Sequence, residues 1–154
     1  MSIFPTRILL ATDGSEEAEL AALRAVELAD ATDSELHVVH VEVVPSFLVS
    51  YPGTLGYERR LYEQIEEMSR ELLRKQSWRV KAAGGTVAGT HLRMGQVDLE
   101  IVALAEEIQA DLIVMGCRGL GGVRRALMGS VSDSVVRHAH CPVLVVRAEK
   151  GQAA

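Results

Sequence analysis

Five short runs rich in β-branched residues, most of them apolar, recur along the chain at residues 7–12, 36–41, 86–92, 111–115 and 142–147, and a stretch with helical spacing separates each from the next. Strands covered on both faces read as near-continuous apolar runs, so this alternation calls for an α/β layer fold with a parallel sheet and right-handed crossovers. The helical stretches carry their own signatures. Ala18, Ala22, Ala25, Val26 and Ala29 line one side of a helix expected to end near residue 31. Leu61, Ile65, Met68 and Leu72 mark a longer one that Gly84-Gly85 should stop near residue 82. A third follows Gly95, with Val97, Ile101, Leu104, Ala105 and Ile108 on one side, and a fourth opens near Ser130. The expected sheet is Rossmann-like, with order 3-2-1-4-5 and helices on both faces, so that the first and fourth strands are neighbours where the order reverses.

With 154 residues, 48% of them hydrophobic and 24% charged, the chain is long enough for one self-sufficient core, expected over residues 1–148 with a flexible tail at 149–154. Cys117 and Cys141 lie 24 positions apart without Cys-x-x-Cys spacing, which suits free thiols in a reducing compartment. No secretory leader and no 18-residue apolar run is present, so a cytoplasmic location is expected. Sixteen Lys and Arg against 21 Asp and Glu give a net charge of −5, which argues against general duplex or membrane binding. Aromatics, at 4%, offer no stacking platform for single strands. Residues 43–56 carry no charge and include Pro45, Phe47, Tyr51, Pro52, Gly53 and Gly56; they form the one long irregular connection, a lid or partner surface or an ordered crossover.

Charge is distributed differently after the fourth strand. Between residues 116 and 137, Arg118, Arg124, Arg125 and Arg137 face Asp133 alone, a local charge of +3. The same stretch reads Gly116-Cys117-Arg118-Gly119, with further glycines at 121 and 122, and Gly129-Ser130 after nine residues. Successive glycines let backbone N–H groups converge on a phosphate, and a helix opening at Ser130 adds its unpaired first N–H groups. A phosphate chain is the ligand these features suit; a surface loop with Ser130 as helix cap would explain only the last two residues.

Gly116-x-x-Gly119-x9-Gly129-Ser130 resembles the nucleotide-binding signature of the universal stress protein family. The opening Ile8-Leu-Leu-Ala-Thr-Asp-Gly-Ser15, the segment Ala110-Asp-Leu-Ile-Val-Met-Gly116 and His140-Cys-Pro-Val-Leu-Val-Val-Arg147 are similar to the same family, so the resemblance spans nearly the whole chain. It implies an adenine nucleotide alpha hydrolase-like fold and a stress-response regulator that binds ATP, or ADP or AMP, as a homodimer. By position, Ala11, Thr12, Asp13 and Val41 would line the adenine and ribose. Gly116, Arg118, Gly119, Gly129, Ser130, Val131 and Ser132 would hold ribose and phosphates, with Cys117, Leu120, Gly121 and Gly122 in the same loop. Any Mg²⁺ would bind through the phosphates, with no dedicated protein ligands. Cys117 stands where the family pattern has Ser or Thr.

Other signatures are missing. There is no Gly-x4-Gly-Lys-Ser/Thr, no complete dinucleotide fingerprint after the first strand, and no Gly-x-Ser-x-Gly or His-Glu-x-x-His. No residue is assigned as a catalytic acid or base. Activity is left open, with ATP hydrolysis slow at most; the alternatives are an adenylyl-transfer enzyme, whose His-x-Gly-His is absent, and a dimeric scaffold that binds no nucleotide. Asp13 would face the nucleotide or cap the first helix. His37, His40 and His91 read as structural strand histidines, and His138 and His140 as helix-terminating residues. The apolar strand at 142–147 lacks the signals that protect a sheet edge, so the dimer is expected to join there.

Overall fold

A computed structural model describes residues 6–44, 57–117 and 129–148. Among these residues five strands and four helices alternate: β1 (Arg7–Ala11), α1 (Glu16–Thr32), β2 (Glu35–Glu42), α2 (Tyr57–Ala82), β3 (Val87–Met94), α3 (Val97–Glu107), β4 (Leu112–Gly116), α4 (Ser130–His138) and β5 (Val143–Val146). The sheet has the expected order β3-β2-β1-β4-β5, and every pairing is parallel. Residues 45–56 of the irregular connection, residues 118–128 of the Gly- and Arg-rich loop, and the tail at 149–154 lie outside the described residues.

The period of two in a strand divides the core into two layers. On one face Ile8 and Leu10 of β1, Leu36 and Val38 of β2, and Val114 of β4 pack with Ala21, Ala22, Ala25 and Val26 of α1 and Leu73 and Val80 of α2. On the other, Leu9 and Ala11, Val39 and Val41, and Ile113 and Met115 pack with Ile101, Leu104 and Ala105 of α3 and Val135 of α4. The alanine stripe lets α1 lie close to the sheet. Gly116, at the end of β4, meets that helix directly: a Cβ there would sit 3.0 Å from Glu17 Cβ and 3.2 Å from Ala18 N.

Three helices end in one way. Gly84 N–H donates to Lys81 O and Gly85 N–H to Val80 O, the paired bonds of a Schellman cap, with Gly84 at φ +93°. Asp33 and Gln109 occupy the equivalent left-handed position after α1 and α3, at φ 52° and 53°, with the same bond pattern. At the amino end of the sheet Asp111 accepts from Thr6 N, Thr6 Oγ1 and Arg7 N, which together hold its carboxyl below the usual carboxylate range despite the opposing effect of burial. Of the two sheet edges, β3 presents Arg93 in an ion pair with Glu107, whereas β5 carries Val143–Val146 alone. No helix among the described residues is long and apolar enough to cross a membrane.

Candidate functional site

The carboxyl ends of β1 and β4 lie side by side, and the chain leaves them in opposite directions, α1 to one face and α4 to the other. A crevice at this switch point is where open parallel sheets receive ligands. Two segments border it, residues 12–15 after β1 and the two described ends of the loop after β4.

The first segment is ordered by its own side chains. Thr12 N–H donates to Val39 O at 2.9 Å, and Thr12 Oγ1 accepts from Gly14 N at 3.2 Å. Asp13 Oδ1 accepts from Ser15 N at 2.9 Å, and Ser15 Oγ accepts from Ala18 N at 3.2 Å. Ser15 is therefore the cap of α1, and Asp13 builds the turn before it. Gly14 takes φ +79°, and Leu72 of α2 packs against the position its Cβ would occupy, so both conformation and space favour glycine there.

Across the crevice, Cys117 N–H donates to Val146 O, and the Cys117 carbonyl accepts from Gly129 N at 2.9 Å and Ser132 Oγ at 2.6 Å. Ser132 is fully buried, with Gly129 O also 3.1 Å from its hydroxyl. Its side chain is committed to joining the two ends of the loop, a use its position in the signature does not disclose. Gly129 is the N-cap of α4 and Ser130 its first helical residue, so no hydroxyl caps this helix. The first intrahelical donor is Asp133 N, to Gly129 O, which leaves the N–H groups of Ser130, Val131 and Ser132 ahead of the helix's own ladder. Backbone φ and ψ at Gly129 are −65° and 159°, values open to any residue.

Ala11, Val41, Met115 and Val131 belong to one apolar layer, which brings the expected adenine side and the start of α4 to the same face. Ser134 Oγ donates to Asp98 Oδ2 at 2.6 Å, tying α4 to the first turn of α3 and holding the Asp98 carboxyl below its usual range. Asp133 pairs with Arg137 at 3.1 Å, so the one acid in the basic stretch is engaged along its own helix. Ala11, Thr12, Asp13, Val41, Gly116, Cys117, Gly129, Ser130, Val131 and Ser132 thus fall at the carboxyl ends of the strands or the start of α4. Arg118, Gly119, Leu120, Gly121 and Gly122, with Arg124 and Arg125, lie outside the described residues.

Two histidine arrangements escaped the sequence. His40 is buried, with Nδ1 2.9 Å from Thr12 O and Nε2 3.1 Å from Glu42 Oε2. His37 Nδ1 stands 3.1 Å from His91 Nε2 across β2 and β3; burial first, then His37 and Arg93 nearby, push His91 below its ordinary value. His138 Nδ1 donates to Ser134 O at 2.8 Å, as expected of a residue that closes a helix. Among the described residues no group of three or more His, Cys, Asp and Glu side chains is arranged to hold a metal ion.

Comparison with known proteins adds to this geometry. The family model described as the universal stress protein family matches residues 5–147. A universal stress protein of Methanocaldococcus jannaschii is 38% identical over 144 residues, covering 94% of this chain and 83% of the relative. The structure of universal stress protein UspA from Lactobacillus plantarum superposes with a TM-score of 0.78 at 26% identity, covering 95% of this chain and 100% of that one. A crystal structure of a universal stress protein in complex with cAMP superposes with a TM-score of 0.68 at 27% identity, covering 93% and 97%.

Proposed function

The chain belongs to the universal stress protein family, and from that premise we propose that it binds an adenine nucleotide, ATP foremost, in the crevice between β1 and β4 and acts as a regulatory homodimer. The observation that carries this reading is the start of α4. Gly129 provides no capping side chain, yet Cys117 O and Ser132 Oγ fix the position of the helix terminus beside the switch point. A helix end held in place and left without a side-chain cap is suited to an anion. The cAMP complex of a relative with the same fold supports an adenine nucleotide as the occupant.

On this reading each segment has a separate task. Ala11 and Val41, buried in the same apolar layer, form the adenine side, with the turn at Thr12 and Asp13 next to the ribose. Backbone at Gly116 and Cys117, the N–H groups of Ser130, Val131 and Ser132, and the loop with Arg118, Gly119, Leu120, Gly121 and Gly122 serve ribose and phosphates. Mg²⁺, when present, is carried on the phosphates. Micromolar affinity requires about 8 kcal/mol, and one helix terminus supplies at most about 2 kcal/mol. Apolar wall, ribose turn and phosphate loop must therefore act together.

The arrangement favours binding over turnover. Phosphoryl transfer needs a group that positions the nucleophile, and Asp133, the nearest acid along α4, is paired with Arg137. Contacts equally good for ground and transition states give affinity without rate, so hydrolysis is expected well below ~1 s⁻¹. The dimer is proposed through the edge of β5, which no strand pairs among the described residues and where Leu144 is exposed. Mass spectrometry of the purified protein under non-denaturing conditions tests both parts. Retained adenine nucleotide and a two-chain mass are expected, and a bare monomer that shows no calorimetric heat with Mg-ATP would refute the reading.

A further inference from the structure

We propose that His40 is a positioning residue for the nucleotide, a clamp that orients the peptide between Thr12 and Asp13; the inference rests on the reading above, that the turn after β1 faces the ligand. Both sides of Thr12 are bonded toward β2: its N–H donates to Val39 O at 2.9 Å, and its C=O accepts from His40 Nδ1 at 2.9 Å. No peptide bond among the described residues is cis, and in a planar trans peptide the C=O and the following N–H point in opposite directions. Turning Thr12 C=O toward β2 therefore turns Asp13 N–H away from β2, to the side of β4 and the crevice. The ring thus sets the direction of a backbone donor in the turn next to the expected ribose.

His40 is itself held from behind. Its Nε2 lies 3.1 Å from Glu42 Oε2, the same oxygen that accepts from Ser69 Oγ of α2 at 2.8 Å, and Glu42 O accepts from Gly95 N at 2.9 Å. Ser69 and His40 are both buried. A carbonyl only accepts, so the contact with Thr12 requires hydrogen on Nδ1. The chain of contacts Ser69, Glu42, His40, Thr12 holds the ring with an acceptor at each nitrogen, and couples α2 to the turn. Its members come from α2, β2 and the turn after β1, and only β2 carries two of them. A backbone already oriented before the ligand arrives costs less to order on binding.

Asparagine tests this role, because its side-chain amide can place a donor where Nδ1 stands; leucine has no donor, and glutamine reaches toward Glu42 instead. Calorimetric titration with Mg-ATP is expected to show His40→Leu weakened by about tenfold, as for loss of a buried hydrogen bond, and His40→Asn recovered to within about threefold of the unmodified protein. The Asp13 amide ¹⁵N resonance, which senses the hydrogen bond at the preceding carbonyl, should shift in His40→Leu and return in His40→Asn, while melting curves confirm that each variant is folded. If His40→Leu does not fold, His40→Gln takes its place with the same expected losses. Affinity for Mg-ATP unchanged in the Leu or Gln variant, or weakened equally in the Asn variant, would overturn the clamp. No binding by the unmodified protein would instead overturn the nucleotide reading and the clamp's function with it.

Discussion

Cys117 and Gly129 are hydrogen-bonded to each other, Gly129 N–H to Cys117 O at 2.9 Å, so the chain that leaves β4 returns to the same point before α4 begins. Eleven residues, 118–128, separate them. Ser132 Oγ reinforces the closure from one turn into the helix, with its bond to the same carbonyl. The terminus of α4 is therefore tied to the residue that follows β4.

Ser132→Ala should loosen that placement. Loss of one buried hydrogen bond is expected to cost about 1 kcal/mol of stability, because Cys117 O keeps its bond to Gly129 N. Urea denaturation reads this directly. Nucleotide affinity should fall as well, and unchanged values for both would show that the hydroxyl contributes nothing to the closure.

Gly129→Asp separates stability from binding. The backbone there admits any residue, and an aspartate at an N-cap stabilises a helix by roughly a few tenths of a kcal/mol relative to glycine. The same carboxylate would occupy the helix N–H groups and repel phosphate. The expected outcome is a higher melting temperature with at least about tenfold weaker nucleotide binding. A rise in both would place the phosphates elsewhere.

Gly116→Ala should destabilise the fold whether or not a nucleotide is bound. The added methyl would meet Glu17 C at 3.1 Å and Ala18 N at 3.2 Å, backbone atoms that cannot move aside without shifting α1. Overpacking of this kind costs about 1–3 kcal/mol. Chemical denaturation of the ligand-free protein with an unchanged midpoint would contradict it.

His91 predicts an acid-side loss of stability. Its folded value lies below the ordinary one, burial being the largest cause, so near and below pH 6.5 the unfolded chain binds the proton more readily than the folded chain. The stabilisation is complete above the unfolded value and declines as the pH falls through the folded one. His91→Gln should flatten this part of the stability profile. Parallel profiles for variant and parent between pH 7 and pH 5, by thermal denaturation, would count against it.

Leu144→Lys tests the β5 edge. Leu144 is exposed on a strand with a paired neighbour on one side among the described residues, so a charge there should spare the fold and hinder strand pairing between copies. Light scattering should report a dimer for the parent at micromolar concentration and a shift toward monomer for the variant. A monomeric parent would refute the proposed assembly.

The strands β1, β2 and β4 were readable from the sequence because they bury both faces and so carry an apolar signal that does not depend on their neighbours; their order in the sheet came from the doubly wound fold class and not from that signal. The helix stops were only partly readable. Gly84 announces a left-handed position, whereas Asp33 and Gln109 adopt one with no glycine to signal it. The sequence offered Asp13 as a possible cap of α1, and the donor at Ala18 assigns that place to Ser15. The links from His40 to Thr12 and from His37 to His91 join different strands, so they depend on register, which periodicity within one strand cannot convey. Gly116 was legible as glycine in a phosphate motif, while its contact with α1 was not, because that contact is a matter of how closely two distant segments approach.

The two borders of the sheet are unlike. At β3 the Arg93–Glu107 ion pair would have to be disturbed by an incoming strand, while β5 offers apolar side chains and a ladder that no strand opposes among the described residues. Two copies that join β5 to β5 about a two-fold axis use up the receptive border of each and leave only the charged ones outward. Such growth ends at a pair: a ten-stranded sheet across two molecules, closed to a third, in place of a fibre.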